Sequence, residues 1–183
     1  GSVVLTLTST NNGTCTVVSD AVQVNFVAPP FANFSGTNVC EGLPNVFTDF
    51  SFPGSGTLTN WAWTFQTGQT SVSPNPSYNF GTAGSYPVEL IVTNSNGCKD
   101  TVSIAVSVFD KPVADFNSSN SCPNNQVTVA FTDASTSSET INSWFYDFGG
   151  QGSAAMADVN QQFASGGTYT ITLIVSTVNG CSD

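Results

Sequence analysis

The chain has 183 residues, with only 2 Lys and Arg against 12 Asp and Glu, no histidine, and a formal net charge of −10. This charge disfavours nucleic acid and anionic membrane as partners, because both require a positively charged footprint. No histidine or well-placed lysine is available to activate a nucleophile, and the acids form no recurring pair, so we expect no enzyme activity. The sequence shows no membrane span, and we expect no membrane insertion of this segment.

One pattern occurs three times along the chain: a glycine, a run of alternating β-branched residues, and a turn that ends in cysteine. These cysteines, which lie 83 residues apart, are Cys15, Cys98 and Cys181. A constant interval of this kind indicates a repeat protein. The register predicts the C-terminal part of a truncated repeat at residues 1–28, a complete repeat at 30–111 and a repeat lacking its last strand at 112–183. Residues 30–111 are called the middle repeat, and residues 112–183 are called the last repeat.

Strand patterns follow one another along each repeat, and no stretch has a helical period. Residues 88–93 and 170–175 read as long central strands, and residues 102–108 alternate as a half-buried strand does. Short strands separated by turn residues every eight to twelve positions predict all-β sandwiches. Pro29-Pro30 and Lys111-Pro112 mark the predicted boundaries of the middle repeat.

Each repeat also contains aromatic residues spaced by two, which therefore share one face of a strand. The residues are Trp61, Trp63 and Phe65 in the middle repeat, and Trp144, Tyr146 and Phe148 in the last repeat. We expect these aromatics to be structural and buried, although an exposed platform for stacking on sugars is the open alternative. Phe145 points the other way and is the candidate for an exposed contact.

The cysteines predict an oxidising compartment. The middle repeat contains Cys40 and Cys98, and the last repeat contains Cys122 and Cys181 at equivalent positions. Zinc binding is disfavoured because the chain has no histidine and no Cys-x-x-Cys spacing. We therefore predict one disulfide within each repeat, Cys40 with Cys98 and Cys122 with Cys181, which leaves Cys15 unpaired.

Acidic residues in the last repeat leave one metal hypothesis open. Calcium at Asp115, Asp133 or Asp147 is the alternative that the acidity of the chain allows, but no EF-hand or nonapeptide calcium motif is present. We expect no metal and no cofactor.

The aromatic runs and the turns that follow them resemble the PKD repeat, an immunoglobulin-like β-sandwich. The matching segments are Trp61-Ala-Trp63-Thr-Phe65 with Gly84-Ser-Tyr86, and Trp144-Phe-Tyr146-Asp147-Phe148-Gly149-Gly150 with Gly167-Thr-Tyr169. The resemblance implies an all-β fold of tandem immunoglobulin-like sandwiches in an extended array. It also implies a structural role for Tyr86 and Tyr169 as tyrosine corners, whose hydroxyls bond nearby backbone.

PKD arrays of this composition are similar to those of very large Bacteroidota cell-surface adhesins, the SprB-type adhesins of gliding motility that the type IX secretion system exports. This resemblance implies an extracellular, cell-surface, adhesive filament without catalysis. Its partners would be neighbouring repeats, surface polysaccharide and, through other parts of the parent protein, the secretion and gliding machinery. Asp100-Thr101-Val102 resembles the Bacteroidota acceptor for O-glycosylation at Thr101. The alternative function is an accessory carbohydrate- or protein-binding module of a secreted hydrolase.

Overall fold

The computed structural model describes residues 1–9, 13, 18–66, 68–121 and 127–183. All regular elements in these ranges are β-strands, which confirms the predicted all-β class. Consistent with this, the described ranges contain no helix with the length and apolar character needed to cross a membrane. Cys15 and Cys122 lie outside the described residues, and the expectation that Cys15 is unpaired stays a prediction.

Sixteen strands follow one another along the described chain. The hairpin before the middle repeat consists of β1 (Ser2–Thr8) and β2 (Ser19–Asn25). The middle repeat contains β3 (Phe34–Gly36), β4 (Val39–Cys40), β5 (Asn45–Asp49), β6 (Leu58–Phe65), β7 (Thr70–Ser71), β8 (Ser77–Tyr78), β9 (Gly84–Asn94) and β10 (Lys99–Phe109). The last repeat contains β11 (Phe116–Ser121), β12 (Val127–Asp133), β13 (Ile141–Asp147), β14 (Ser153–Ala154), β15 (Val159–Phe163) and β16 (Thr172–Thr177).

Each repeat divides its strands between two sheets, as an immunoglobulin-like sandwich does. In the middle repeat the strand orders are β4-β10-β9-β6-β7 and β3-β5-β8. In the last repeat they are β11-β12-β15 and β14-β13-β16. The central antiparallel pairs correspond, since Trp63 lies opposite Leu90 in one repeat and Tyr146 lies opposite Leu173 in the other.

By its internal contacts the chain forms two compact units. The first comprises residues 1–35, 48–76 and 88–104, and the second comprises residues 36–47, 77–87 and 105–183. In the first unit, β9 buries every second side chain, and these residues are Val88, Leu90 and Val92. That alternation is the reason the segment forms a strand with one face in the core. The ring of Trp63 meets Phe34 edge-on, with 4.9 Å between the ring centres.

The second unit contains the core of the last repeat. Its buried members are large apolar side chains from both sheets: Phe131, Tyr146, Phe148, Phe163, Leu173 and Val175. Tyr146 lies on β13 and Phe148 directly follows this strand, and their rings stack nearly parallel, with 5.9 Å between the ring centres. Burial of aromatic rings of this size supplies most of the stabilisation that a small sandwich core provides.

The hairpin of β1 and β2 is a different kind of element. The two strands pair antiparallel along their full length, from Ser2 opposite Asn25 to Thr8 opposite Ser19. Nearly all of their side chains are exposed on both faces, including Leu7 at 78%. Two strands alone bury too little apolar surface for independent stability.

Candidate functional site

The most distinctive site is the junction of the middle and last repeats, which begins at Cys40. Cys40 ends the short strand β4, which runs parallel to the end of β10, so that Cys40 lies opposite Phe109. The backbone amide of Glu41 donates to the carbonyl of Phe109 at 2.8 Å, and Gly42 adopts a positive φ of 86° in the turn that follows. Cys40 is thereby held where β10 ends and the linker to the last repeat begins.

The other side of the junction is the turn that follows β16. The amide of Gly180 donates to the carbonyl of Thr177 at 2.9 Å, and the amide of Thr177 donates to the carbonyl of Cys181 at 2.8 Å. Gly180 has a φ of 82°, a conformation that side chains with a Cβ rarely adopt. Cys181 lies at the end of this tight turn and is only 1% exposed.

A disulfide joins Cys40 to Cys181, with 5.5 Å between the Cα atoms and 141 residues between the two positions. The predicted pairing of Cys40 with Cys98, and of Cys181 with Cys122, is therefore wrong: Cys98 is a free, half-buried thiol. The reason is geometric. Cys98 precedes β10, whereas Cys40 lies beside its last residue. A strand of eleven residues at ~3.3 Å per residue holds these positions about 35 Å apart, far beyond disulfide reach.

Polar contacts also join the linker to the last repeat. The Asp110 carboxylate accepts hydrogen bonds from the Ser138 hydroxyl at 2.7 Å and the Ser138 amide at 2.9 Å. These bonds, the hydroxyl first, hold the pKa of Asp110 below its ordinary value. Because Asp110 belongs to the linker and Ser138 to the last repeat, the contact orients one relative to the other.

Asp183 makes the second polar contact of the linker. Its carboxylate accepts the Ala114 amide at 2.9 Å and the Lys111 ammonium at 2.9 Å. The Ala114 bond, followed by the Lys111 contact, lowers the pKa of Asp183. The Lys111 and Asp183 side chains are 51% and 38% exposed, and an exposed ion pair contributes little net stability. The disulfide adds a covalent link to these polar contacts.

Lys111 belongs to the Lys-Pro boundary that the sequence predicts, but the sequence analysis did not single out its partner Asp183 or the contact between Asp110 and Ser138. Sequence separation alone does not reveal which ends of the two sandwiches meet.

The predicted aromatic residues occupy two kinds of position. Four of the six are buried to within 1% exposure, and they are Trp63, Phe65, Tyr146 and Phe148. Trp61 and Trp144 are half-buried. The indole nitrogen of Trp61 donates to Asp49 at 2.6 Å. No continuous exposed platform is formed by these six side chains. Phe145 is 45% exposed and lies opposite Ile174, which is 44% exposed.

The two tyrosines near the start of the predicted central strands bond the backbone just before them. The hydroxyl of Tyr86 donates to the carbonyl of Thr82 at 2.8 Å. The hydroxyl of Tyr169 donates to the carbonyl of Ser165 at 2.9 Å. This is the bond expected of a tyrosine corner, and it lies four residues upstream in both repeats.

The acids considered for calcium cap turns in the described structure. Asp115 accepts the amide of Phe116, Asp133 accepts the amide of Ser135, and Asp147 accepts the amide of Gly149. In the ranges that the structure describes, no group of three or more His, Cys, Asp or Glu side chains is placed to hold a metal ion.

Thr101 is exposed on β10. The carboxylate of the preceding Asp100 accepts the amide of Ala32 at 2.8 Å. O-glycosylation of Thr101 stays a prediction.

Tandem immunoglobulin-like β-sandwiches joined by a short linker are the class that this fold and junction define. A family model of the PKD domain matches residues 27–108 and again residues 110–183. The chain therefore belongs to the PKD domain family and contains two PKD repeats. PKD domains are in general non-catalytic modules. The exact limits of the repeats, and the truncated repeat at residues 1–28, remain predictions.

Individual relatives come from Vibrio proteins. The chain is 36% identical over 74 residues, 40% of its length, to the pre-pro-metalloprotease PrtV of Vibrio cholerae, and spans only 8% of the length of that relative. The crystal structure of the PKD1 domain of PrtV is 33% identical, with coverage of 44% of this chain and 98% of the domain and a TM-score of 0.41. The PKD1 domain of Vibrio anguillarum Epp is 32% identical, with coverage of 45% and 96% and a TM-score of 0.42.

Proposed function

We propose that this chain is a non-catalytic structural segment of an extracellular protein, in which consecutive PKD repeats are coupled covalently so that they hold their spacing under tension. The observation that carries this proposal is the disulfide between Cys40 of the middle repeat and Cys181 of the last repeat. A disulfide also fits the oxidising environment outside the cell.

The position of the disulfide decides how a pulling force is distributed. The bond closes a loop of 141 residues that contains most of both repeats. Force applied at the two ends of the chain passes through the bond, and the strands inside the loop are shielded from extension. Noncovalent contacts between strands inside the loop then carry no load, so residues 41–180 behave as one mechanical element, whereas β1, β2 and β3 lie outside the loop.

The parent protein that we propose is a filamentous cell-surface adhesin similar to the SprB-type adhesins, with attachment and gliding as its roles. The net charge of −10 favours contacts with neutral or sugar-rich surfaces, because acidic surfaces repel it. Weak contacts of single repeats suffice in such an array, since linked copies raise the effective concentration at the surface. The secretion and gliding machinery would engage other parts of the parent protein.

Single-molecule stretching of the 183-residue chain by its ends tests the structural function. With the disulfide intact, the loop residues should not contribute to the unfolded contour length. Addition of a reductant should lengthen the fully stretched chain by about 500 Å, because about 140 residues at ~3.5 Å each are released. Cys98→Ser is the matched control and should leave the difference unchanged. Equal lengths with and without reductant would contradict the proposal.

A second function, an accessory binding module of a secreted hydrolase, is favoured by one specific feature. Phe145 and Ile174 form an exposed apolar pair on the outer face of β13 and β16. The 36% identity over 74 residues to the pre-pro-metalloprotease PrtV of Vibrio cholerae also supports this candidate.

Binding of the purified chain to insoluble polysaccharide and to denatured protein separates the two functions. If the chain has only a structural role, the purified chain should show no saturable binding. Saturable binding that is lost in Phe145→Ala would support the module instead. Phe50→Ala is the control, because Phe50 is also exposed, at 60%, but belongs to the middle repeat.

A further inference from the structure

The turn that carries the free Cys98 has the same construction as the turn that carries Cys181. The amide of Gly97 donates to the carbonyl of Asn94 at 2.9 Å, and the amide of Asn94 donates to the carbonyl of Cys98 at 2.9 Å. The corresponding distances in the last repeat, between Gly180, Thr177 and Cys181, are 2.9 and 2.8 Å. Gly97 has a φ of 80°, close to the 82° of Gly180. Cys98 and Cys181 therefore occupy equivalent positions in matching turns.

The surroundings of the two turns also correspond. Two residues after Cys98, Asp100 accepts the amide of Ala32 at 2.8 Å. Two residues after Cys181, Asp183 accepts the amide of Ala114 at 2.9 Å. In each case an aspartate on the chain leaving the turn binds the first residues of its own repeat. The turn that places Cys181 in its disulfide is thus also present in the middle repeat, around Cys98.

Cys98 is more exposed than Cys181, as expected if the residue that would cover Cys98 is missing. Cys181, which is bonded, is 1% exposed, whereas Cys98 is half-buried and has a free thiol. Cys40 is already bonded to Cys181 and is held apart from Cys98 by the length of β10. The partner of Cys98 must therefore come from another repeat.

The geometry points to Cys98 as half of a second disulfide between repeats, formed with a cysteine that occupies the position of Cys40 in a PKD repeat preceding the middle one. In the observed disulfide the turn cysteine is bonded to the strand-end cysteine 141 residues earlier, in the preceding repeat. The same rule applied to Cys98 gives successive repeats one covalent link at every junction. This inference stands whether or not the parent protein is an adhesin.

The bond forms by ordinary thiol–disulfide exchange with a small disulfide such as oxidised glutathione as oxidant. The thiolate of Cys98 attacks this disulfide and displaces one glutathione thiolate, which leaves a mixed disulfide on Cys98. The thiolate of the strand-end cysteine then attacks the Cys98 sulfur and displaces the second glutathione. Two protein thiols are oxidised, one glutathione disulfide is reduced to two thiols, and the two protons of the protein thiols end on the released glutathione.

The test lengthens the chain by one period. Because Gly1 and Gly84 occupy the same place in the pattern, a copy of residues 1–83 placed directly before Gly1 continues the register. The copied Cys40 then precedes Cys98 by the same interval as Cys40 precedes Cys181. The extended chain is refolded in a glutathione redox buffer, free thiols are alkylated, and disulfides are mapped by mass spectrometry of unreduced peptides.

We expect Cys98 to be alkylated in the 183-residue chain and to lose this reactivity in the extended chain, where mapping recovers it bonded to the copied Cys40. Replacement of the copied Cys40 by serine should restore alkylation of Cys98. The Cys40 to Cys181 link in the same sample reports correct folding, so only molecules that contain it are counted. Alkylation of Cys98 in these molecules, or a bond from it to any other cysteine, overturns the inference.

Discussion

The middle and last repeats have different aromatic residues at the same position of equivalent strands, β6 and β13. Trp63 and Tyr146 are both fully buried. Each uses the polar atom of its ring system to donate to a backbone carbonyl just after the next short strand, Trp63 to Ser73 at 2.8 Å beyond β7 and Tyr146 to Ala157 at 3.3 Å beyond β14. The position therefore requires a large ring with a donor at its far end, and the identity of the ring is secondary.

A second pair of positions is less well matched. The indole nitrogen of Trp61 donates to Asp49, whereas the indole nitrogen of Trp144 is buried and has no hydrogen-bond partner among the described residues. Asp133 corresponds to Asp49, and each accepts the amide of a serine two residues later. The middle repeat thus satisfies a polar atom that the last repeat leaves unpaired, and an unpaired buried donor is costly.

Removal of the disulfide should cause the largest loss of unfolding free energy, because this bond links the middle repeat covalently to the last repeat. The double variant Cys40→Ser, Cys181→Ser loses about 5 kcal/mol of unfolding free energy in the chain-entropy model for a closed loop of this length. We expect two resolved transitions in urea, one for each repeat, where the parent chain unfolds in a single step. A single transition in the double variant would show that noncovalent contacts alone couple the repeats.

Truncation of the central aromatic should cost about the same in both repeats. Trp63→Ala and Tyr146→Ala each remove a fully buried ring and should lower the unfolding free energy by about 3–5 kcal/mol. Urea unfolding followed by circular dichroism measures the loss. Phe145→Ala, on the exposed side of the same strand as Tyr146, is the control and should change it by no more than about 0.5 kcal/mol. A marked difference between the two core variants would disprove the equivalence of the positions.

The matched aspartates isolate the indole hydrogen bond. Asp49→Ala removes the partner of Trp61, while Asp133→Ala removes only the turn contact that both aspartates make. We expect the first variant to lose about 1–2 kcal/mol more than the second, since hydrogen bonds to charged groups contribute more than neutral ones. Equal losses in chemical unfolding would mean that the Trp61 contact adds nothing to stability.

The smallest effect concerns pH. The Ala114 amide, followed by Lys111, lowers the pKa of Asp183 in the folded chain. The ionised carboxylate therefore stabilises the folded state, and this stabilisation is fully present above the ordinary carboxyl pKa of 3.8. This contribution is lost as the pH falls through the lower pKa of the folded state. Thermal unfolding at low salt should therefore show a decrease in Tm below about pH 4 that is smaller in Asp183→Asn. Asp20→Asn, in the exposed hairpin, should keep the decrease of the parent chain.

Much of the fold followed from periodicity. The interval of 83 residues predicts tandem sandwiches, and the alternation at residues 88–93 and 102–108 is realised in β9 and β10. These features are local, so the sequence displays them directly. A resemblance to the PKD repeat added the tyrosine corners at Tyr86 and Tyr169, whose hydroxyl bonds the structure contains.

The junction was not predictable in the same way. Cys40 and Cys98 are 58 residues apart and fall within one repeat, which made them the natural pair. Their separation in space depends on which end of β10 each one lies against, and this is a property of the complete sheet. The contacts of Asp110 and Asp183 depend in turn on how the linker leaves that sheet.

The loop closed by Cys40 and Cys181 also changes what a protease can achieve. A single cut at an exposed turn anywhere between these two residues opens the backbone but leaves both fragments attached through the sulfur atoms. The chain stays in one piece, and the strands on either side of the cut remain close enough to pair again. Two events, cleavage and reduction, are needed before material is released, so nicked molecules can persist among extracellular proteases with their two termini still connected.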